Sequence, residues 1–127
     1  MLTVLVADDE FAVLEVLCMA LEGEGHRILK AGDGADALRI LVSQPCDVVV
    51  CDEVMPVMTG AQLVGAMRAD PRLASVPVIM MIDVFGRSRT PLDPEIIVVP
   101  KPVMLPQLFG LVDQAGSSRA EARKGRT

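Results

Sequence analysis

The chain has 127 residues, a length typical of one domain, and 51% of them are hydrophobic against 23% charged. This balance is typical of a folded globular protein and excludes disorder of the whole chain. No apolar run approaches the roughly 18 residues that a membrane span requires, so we expect a cytoplasmic protein without membrane contact. The three cysteines have no paired spacing, which favours reduced thiols over disulfides or a zinc site.

Charge is distributed unevenly along the chain. Residues 1–115 contain 8 Lys and Arg against 16 Asp and Glu, whereas residues 116–127 contain 4 against 1. With three Phe and no Trp or Tyr, the acidic body lacks the basic clusters and aromatic side chains that bind nucleic acid. We therefore expect no direct nucleic-acid binding by residues 1–115. Residues 116–127 have no apolar periodicity and are predicted to form a disordered basic tail or the start of a linker.

Strand-like and helix-like segments alternate along the chain. Five short runs, rich in apolar and β-branched residues, are typical of strands buried in a sheet: Leu2–Ala7, Arg27–Ala31, Asp47–Cys51, Val76–Ile82 and Ile96–Val99. Helical patterns follow four of these runs. They start at Phe11 and close to Asp33, Thr59 and Pro106, and the last three are residue types common at helix starts.

This alternation predicts βαβ units, and therefore a parallel sheet with helices on both faces. Five strands within residues 1–115 fit one α/β domain with a doubly wound sheet in the order 2-1-3-4-5. Residues 83–94 include Gly86, Pro91 and Pro94. We therefore expect the helix between strands four and five to be shortened or irregular.

Acidic residues follow the first and third strands, which are neighbours in this strand order. The first strand runs into Asp8, Asp9 and Glu10, the third runs into Asp52 and Glu53, and Lys101 follows the fifth strand. One such acidic pair is often only a helix cap or a solvated loop, but two pairs and a lysine at one edge favour a functional site. Carboxylates crowded together repel one another, so this site requires a cation.

The residue types at this edge indicate which cation and which chemistry. Oxygen ligands without nearby His or Cys favour Mg²⁺, with Mn²⁺ as a substitute. A carboxylate beside a metal ion and a lysine can act as a nucleophile and form an acyl phosphate.

The sequence around these residues resembles the receiver domain of two-component response regulators. The segments that carry the resemblance are Val4–Glu10, Ala31–Leu38, Asp47–Gly60, Pro77–Met80 and Lys101-Pro102. The resemblance covers about residues 2–115 and is most specific where Met55-Pro56 and Gly60 follow Asp52. It implies the flavodoxin-like fold of CheY-like receivers.

The resemblance also implies a role for each matching residue. Asp52 would be the phosphoacceptor, taking a phosphoryl group from a histidine kinase or a histidine phosphotransfer protein. Asp9 would bind Mg²⁺ directly and Asp8 through water, with Asp52 and the backbone carbonyl of Val54 completing the site. Lys101 would contact a phosphoryl oxygen. The Lys101–Pro102 peptide bond would be cis, and the downstream protein or effector domain is unknown.

Three positions depart from the family pattern. Ile82 stands where the family has Thr or Ser, Asp83 where it has a small residue, and Val98 where it has an aromatic residue. The usual output switch is therefore absent. The domain is phosphorylated and signals through an atypical output, or it is a degenerate receiver that acts as a phosphorylation-independent interaction scaffold.

Enzymes of similar architecture fit the sequence less well. A phosphatase with an aspartyl nucleophile would have a second Asp two residues after the first, where Val54 stands. A flavodoxin would have a phosphate loop rich in Ser and Thr, with aromatic residues flanking the flavin. We therefore expect a signalling domain and not an enzyme.

Overall fold

Strands and helices alternate along the chain in the computed structural model, which describes residues 1–83 and 94–124. The elements are β1 (Thr3–Ala7), α1 (Phe11–Gly23), β2 (Arg27–Ala31), α2 (Gly34–Ser43), β3 (Val48–Asp52), α3 (Gly60–Ala69), β4 (Val78–Ile82), β5 (Ile97–Pro100) and α4 (Leu105–Lys124). The five strands form one parallel sheet in the order β2-β1-β3-β4-β5. The predicted doubly wound fold is thus confirmed. The helix predicted to be shortened or irregular falls mainly on residues 84–93, outside the described residues.

The central strands are buried on both faces, as their continuous apolar sequences predict. Along β3, Val49 belongs to an apolar cluster with side chains from α2 and α3, whereas Val50 belongs to a second cluster with α1 and α4. The two clusters form the core, one on each face of the sheet. No helix within the described ranges is long and apolar enough to cross a membrane.

The pairing of β1 with β3 fixes the position of the acidic edge. Their register places Ala7 opposite Cys51, so the next residues, Asp8 and Asp52, lie side by side at the end of the two strands. The amide of Asp8 continues the pairing with β2 by donating to the carbonyl of Ala31 at 3.1 Å. Parallel strands therefore bring two carboxylates, 44 positions apart in sequence, to one edge.

Two helices start at side-chain caps that were predicted from the sequence. The Asp33 side chain accepts a hydrogen bond from the Asp36 amide at the start of α2. At the start of α3, Thr59 and Gln62 form a reciprocal capping box, at 3.2 Å and 2.9 Å. Both caps satisfy amides that would otherwise have no partner in the first turn, and they fix where the loops after β2 and β3 end.

The last helix is longer than the sequence analysis predicted. The sequence analysis expected disorder from residue 116 onward, whereas α4 in the structure continues to Lys124. Gly116 is buried, with space so tight that a Cβ there would lie 2.6 Å from Leu2 Cδ1. Arg119 donates to Ser75 Oγ at 2.6 Å, and Ala120 packs against the core. Small residues and an arginine pack this part of the helix against the rest of the domain. A periodic pattern of large apolar side chains, which the sequence analysis relied on, does not detect such residues.

Candidate functional site

Three carboxylates converge at the carboxyl edge of the sheet. One oxygen from each of Asp8, Glu10 and Asp52 lies within 4.8 Å of the others. Asp8 and Asp52 are only 2% and 3% exposed, whereas Glu10 is exposed to solvent. This set of hard oxygen donors, open on one side, fits a divalent cation such as Mg²⁺ or Mn²⁺, which retains several waters.

Glu10 reaches the cluster because the chain turns sharply after β1. The Glu10 amide donates to Asp8 Oδ1 at 2.9 Å, a local turn typical of Asp. Glu10 is also the N-cap residue of α1, but its side chain makes no capping hydrogen bond. The sequence analysis counted Glu10 among the acidic residues but assigned it no role. The signal that could have identified it is the Asp located two positions earlier.

One of the predicted metal ligands, Asp9, lies outside this cluster. It is exposed, and its carboxylate is not among the three that converge. Val54 lies two residues after Asp52, the predicted phosphoacceptor, and its amide donates to Asp52 Oδ1 at 3.4 Å. The assignments of Asp9 and of the Val54 carbonyl as ligands stay predictions.

Lys101 lies beside the predicted phosphoacceptor. Its Nζ is 2.8 Å from Asp52 Oδ1, and its amide donates to the carbonyl of Ile82 at 2.9 Å. The Lys101–Pro102 peptide bond is cis, the form that the resemblance implied. Backbone pairing to the end of β4 holds the lysine next to Asp52.

The electrostatics of the site reflect an excess of negative charge. Burial raises the pKa of the Asp8 carboxyl, the hydrogen bond from the Glu10 amide opposes the rise, and the charge of Asp52 adds to it. For Lys101, burial acts to lower the pKa. The hydrogen bond and charge of Asp52, with the charges of Asp8 and Glu10, outweigh burial, and the net pKa is raised. The site has one ammonium and three carboxylates, so a further cation would offset the remaining negative charge.

The loop after β3 packs tightly against the phosphoacceptor strand. The Gly60 amide donates to the carbonyl of Glu53 at 2.9 Å, and the Glu53 amide donates to that of Met81 at 3.1 Å. A Cβ on Gly60 would lie 2.6 Å from the backbone oxygen of Asp52. Only glycine permits this approach, so Gly60 fixes where the loop returns to the site.

The three positions that depart from the family pattern lie at the end of β4, directly after it, and on the neighbouring strand β5. Ile82 is half-buried at the end of β4 and packs against the core cluster on the side of α2 and α3. Asp83 is exposed immediately after it. Val98 lies on β5 and is 48% exposed. Ile82 has no hydroxyl to offer a phosphoryl group, and the consequence for output stays a prediction.

Known proteins are similar to this chain in sequence and in fold. A family model of the response regulator receiver domain matches residues 4–85, more than half of the chain. The response regulator GtcR of Aneurinibacillus migulanus is 37% identical over 79 residues, covering 62% of this chain and 31% of that protein. This chain therefore spans about a third of the length of that curated relative.

Solved structures of receiver domains have the same architecture. A response regulator receiver domain protein from Clostridium thermocellum matches with a TM-score of 0.85 at 23% identity, over 96% of this chain and 99% of that one. The receiver domain of a sensor histidine kinase from Pseudomonas aeruginosa, with a magnesium ion coordinated in its active-site cleft, matches with a TM-score of 0.81 at 20% identity, over 91% and 98%. Together with the residues matched by the family model, these findings show that the chain belongs to the response regulator receiver domain family.

Proposed function

We propose that this chain is a phosphoacceptor domain in which Asp52 takes a phosphoryl group from a phosphohistidine of a histidine kinase or histidine phosphotransfer protein. The observation that carries the proposal is the convergence of Asp8, Glu10 and Asp52 with Lys101 at one edge of the sheet. The site is open at Glu10 and closed around Asp52. A phosphoryl donor can therefore approach from the side of Glu10, while burial fixes the position of the Asp52 carboxylate.

In the proposed reaction a carboxylate oxygen of Asp52 attacks phosphorus. A bond forms between that oxygen and phosphorus, and the bond between phosphorus and the imidazole nitrogen of the donor breaks. The imidazole keeps the electron pair, and the product is an aspartyl phosphate. Lys101 lies close enough to Asp52 to donate to a phosphoryl oxygen, which stabilises charge on the transferring group.

The carboxylates of Asp8, Glu10 and Asp52 are the residues that would hold a divalent cation, with Asp9 and the Val54 carbonyl as the additional ligands implied by the family. Bound there, Mg²⁺ or Mn²⁺ supplies positive charge that offsets the charge on the phosphoryl oxygens. The magnesium ion in the cleft of the Pseudomonas aeruginosa receiver domain supports this assignment.

The proposed output differs from that of most of the family. Ile82 cannot donate a hydrogen bond to a phosphoryl group, and Val98 is not aromatic. We expect the phosphorylated state to be read directly at the site by a downstream protein or effector domain. The buried carboxylate of Asp52, paired with Lys101, favours this function over that of a phosphorylation-independent scaffold.

Locating the phosphoryl group in the chain tests the proposal. Treatment with phosphoramidate and Mg²⁺, followed by borohydride, converts an aspartyl phosphate into homoserine, which peptide mass mapping detects. We expect homoserine at position 52 and nowhere else. Conversion at another carboxylate would contradict the assignment of Asp52. No conversion, with cation binding still measurable, would favour the scaffold.

A further inference from the structure

An apolar groove leads away from the acidic site, between α1 and the segment that follows β5. It has a volume of about 580 Å³, within the range of small-molecule sites in proteins. Its apolar lining includes Val13, Val16, Leu17, Met81, Val103 and Leu105. The groove is therefore continuous with the acidic site and yet chemically distinct from it.

The α1 wall of the groove is uncovered within the part of the chain that the structure describes. Val16 is 57% exposed, although Leu17, the next residue, is buried in the core. Val13 is also exposed. Exposed valines one turn apart on a helix favour contact with an apolar group from outside the domain.

The polar end of the groove is negatively charged. Asp8, Glu10 and Lys101 line it. The Lys101 ammonium already pairs with Asp52 at 2.8 Å, so the carboxylates of Asp8 and Glu10 dominate the charge that a ligand meets. A cationic group is attracted to this end, whereas an anionic group is repelled.

We propose that the groove binds a small amphipathic amine, a molecule with one ammonium head and a compact apolar body. The ammonium lies at Asp8 and Glu10, and the apolar body lies between Val16 and Leu105. The charge at the polar end selects this class over fatty acids and alcohols of the same length. The apolar lining selects it over purely polar amines.

Binding of the amine excludes a divalent cation, because both require the carboxylates of Asp8 and Glu10. An amine in the groove therefore suppresses phosphoryl uptake by Asp52, and this consequence alone rests on the proposed function. The groove then serves as an inhibitory site that shares its charged end with the phosphorylation site.

A matched ligand series tests the proposal on the full chain. Hexylamine, hexan-1-ol and hexanoate are unbranched six-carbon compounds that differ in the charge of the head group, and NMR shifts of the valine and leucine methyl groups report binding and its location. We expect hexylamine to bind at least tenfold more tightly than hexan-1-ol, with shifts at Val13, Val16 and Leu105. Hexanoate is expected not to bind, and added Mg²⁺ is expected to weaken hexylamine binding.

Two variants locate the site. Val16→Ser removes apolar surface from the exposed wall and is expected to weaken hexylamine binding at least fivefold. Val42→Ser makes the same change at an exposed valine of α2, outside the groove, and is expected to have no effect. Circular dichroism confirms that both variants fold.

Several results would overturn the proposal. These are the absence of hexylamine binding, equal affinity for the amine and the alcohol, or equal effects of the two variants. Methyl shifts that depend on protein concentration without any ligand would show that a second copy fills the groove. Phosphoryl uptake by Asp52 is measured separately, so the loss of one conclusion leaves the other intact.

Discussion

The ammonium of Lys101 lies 2.8 Å from Oδ1 of Asp52, so the residue after β5 contacts the last residue of β3 across the end of β4. The strand order produces this relationship, since both strands end at the same edge of the sheet. Asp52 is almost fully buried, whereas Lys101 is partly exposed. The lysine is the cation that the described structure provides at a site with three converging carboxylates.

Replacing this lysine separates two properties of the site. In Lys101→Gln we expect phosphoryl uptake to slow by roughly ten- to a hundredfold, because a charged donor to the transferring group is lost. Mg²⁺ binding is expected to tighten, because a competing positive charge is removed. Calorimetry and phosphorylation kinetics measure the two effects. Weaker Mg²⁺ binding together with slower uptake would indicate a general loss of structure at the site.

The choice of metal ligand between Asp9 and Glu10 is also testable. Glu10→Gln is expected to weaken Mg²⁺ binding several-fold, because the Glu10 carboxylate belongs to the converging cluster. Asp9→Asn, one residue earlier, is the matched variant, and calorimetric titration compares the two. An effect confined to Asp9→Asn would show that Mg²⁺ draws Asp9 into the site and that Glu10 is not a ligand.

The pH dependence of stability in the absence of divalent cations reports on Asp8. Its pKa is raised in the folded protein by burial, so folding favours the protonated carboxyl. That contribution is fully present below the unfolded value of 3.8 and is lost as pH rises through the folded pKa. Asp8→Asn, which retains an oxygen acceptor for the Glu10 amide, is expected to gain free energy of unfolding relative to wild type as pH rises.

Asp70 provides a control of opposite sign. Hydrogen bonds from Arg72 lower the pKa of Asp70, so its contribution is present above the unfolded value of 3.8 and lost as pH falls through the folded pKa. Asp70→Asn is therefore expected to lose stability relative to wild type as pH rises. Urea unfolding followed by far-ultraviolet circular dichroism measures both variants. Curves that run parallel to wild type for Asp8→Asn would contradict the raised pKa.

Two glycines of α3 differ in what surrounds them. A Cβ at Gly60 would lie 2.6 Å from the backbone oxygen of Asp52, whereas a Cβ at Gly65 would have nothing within 4 Å. We expect Gly60→Ala to lower the free energy of unfolding by about 1–3 kcal/mol through overpacking. Gly65→Ala is expected to raise it by roughly 0.5–1 kcal/mol through helix propensity. Denaturant unfolding tests both, and equal effects would contradict the close packing of the loop after β3.

The strand order and most of the acidic site were predictable because each rests on local sequence patterns. Apolar runs such as Val48–Cys51 are visible without a structure, and a parallel sheet brings the residues that follow them together. The membership of Glu10 in the cluster was missed, although an Asp two positions earlier is the signal for the local turn in which the Glu10 amide donates to Asp8. The extension of α4 was missed because it packs through Gly116, a residue without a side chain.

The central claim is that Asp52 accepts a phosphoryl group in a reaction that requires a divalent cation. Intact-mass spectrometry after treatment with phosphoramidate, with and without Mg²⁺, tests it on the wild type, Asp52→Asn and Asp36→Asn. Asp36 is a carboxylate on α2 that pairs with Arg39 and does not belong to the converging cluster. We expect one added phosphoryl group in the wild type and in Asp36→Asn with Mg²⁺, and none in Asp52→Asn or without Mg²⁺. Uptake by Asp52→Asn at the wild-type level would contradict the claim.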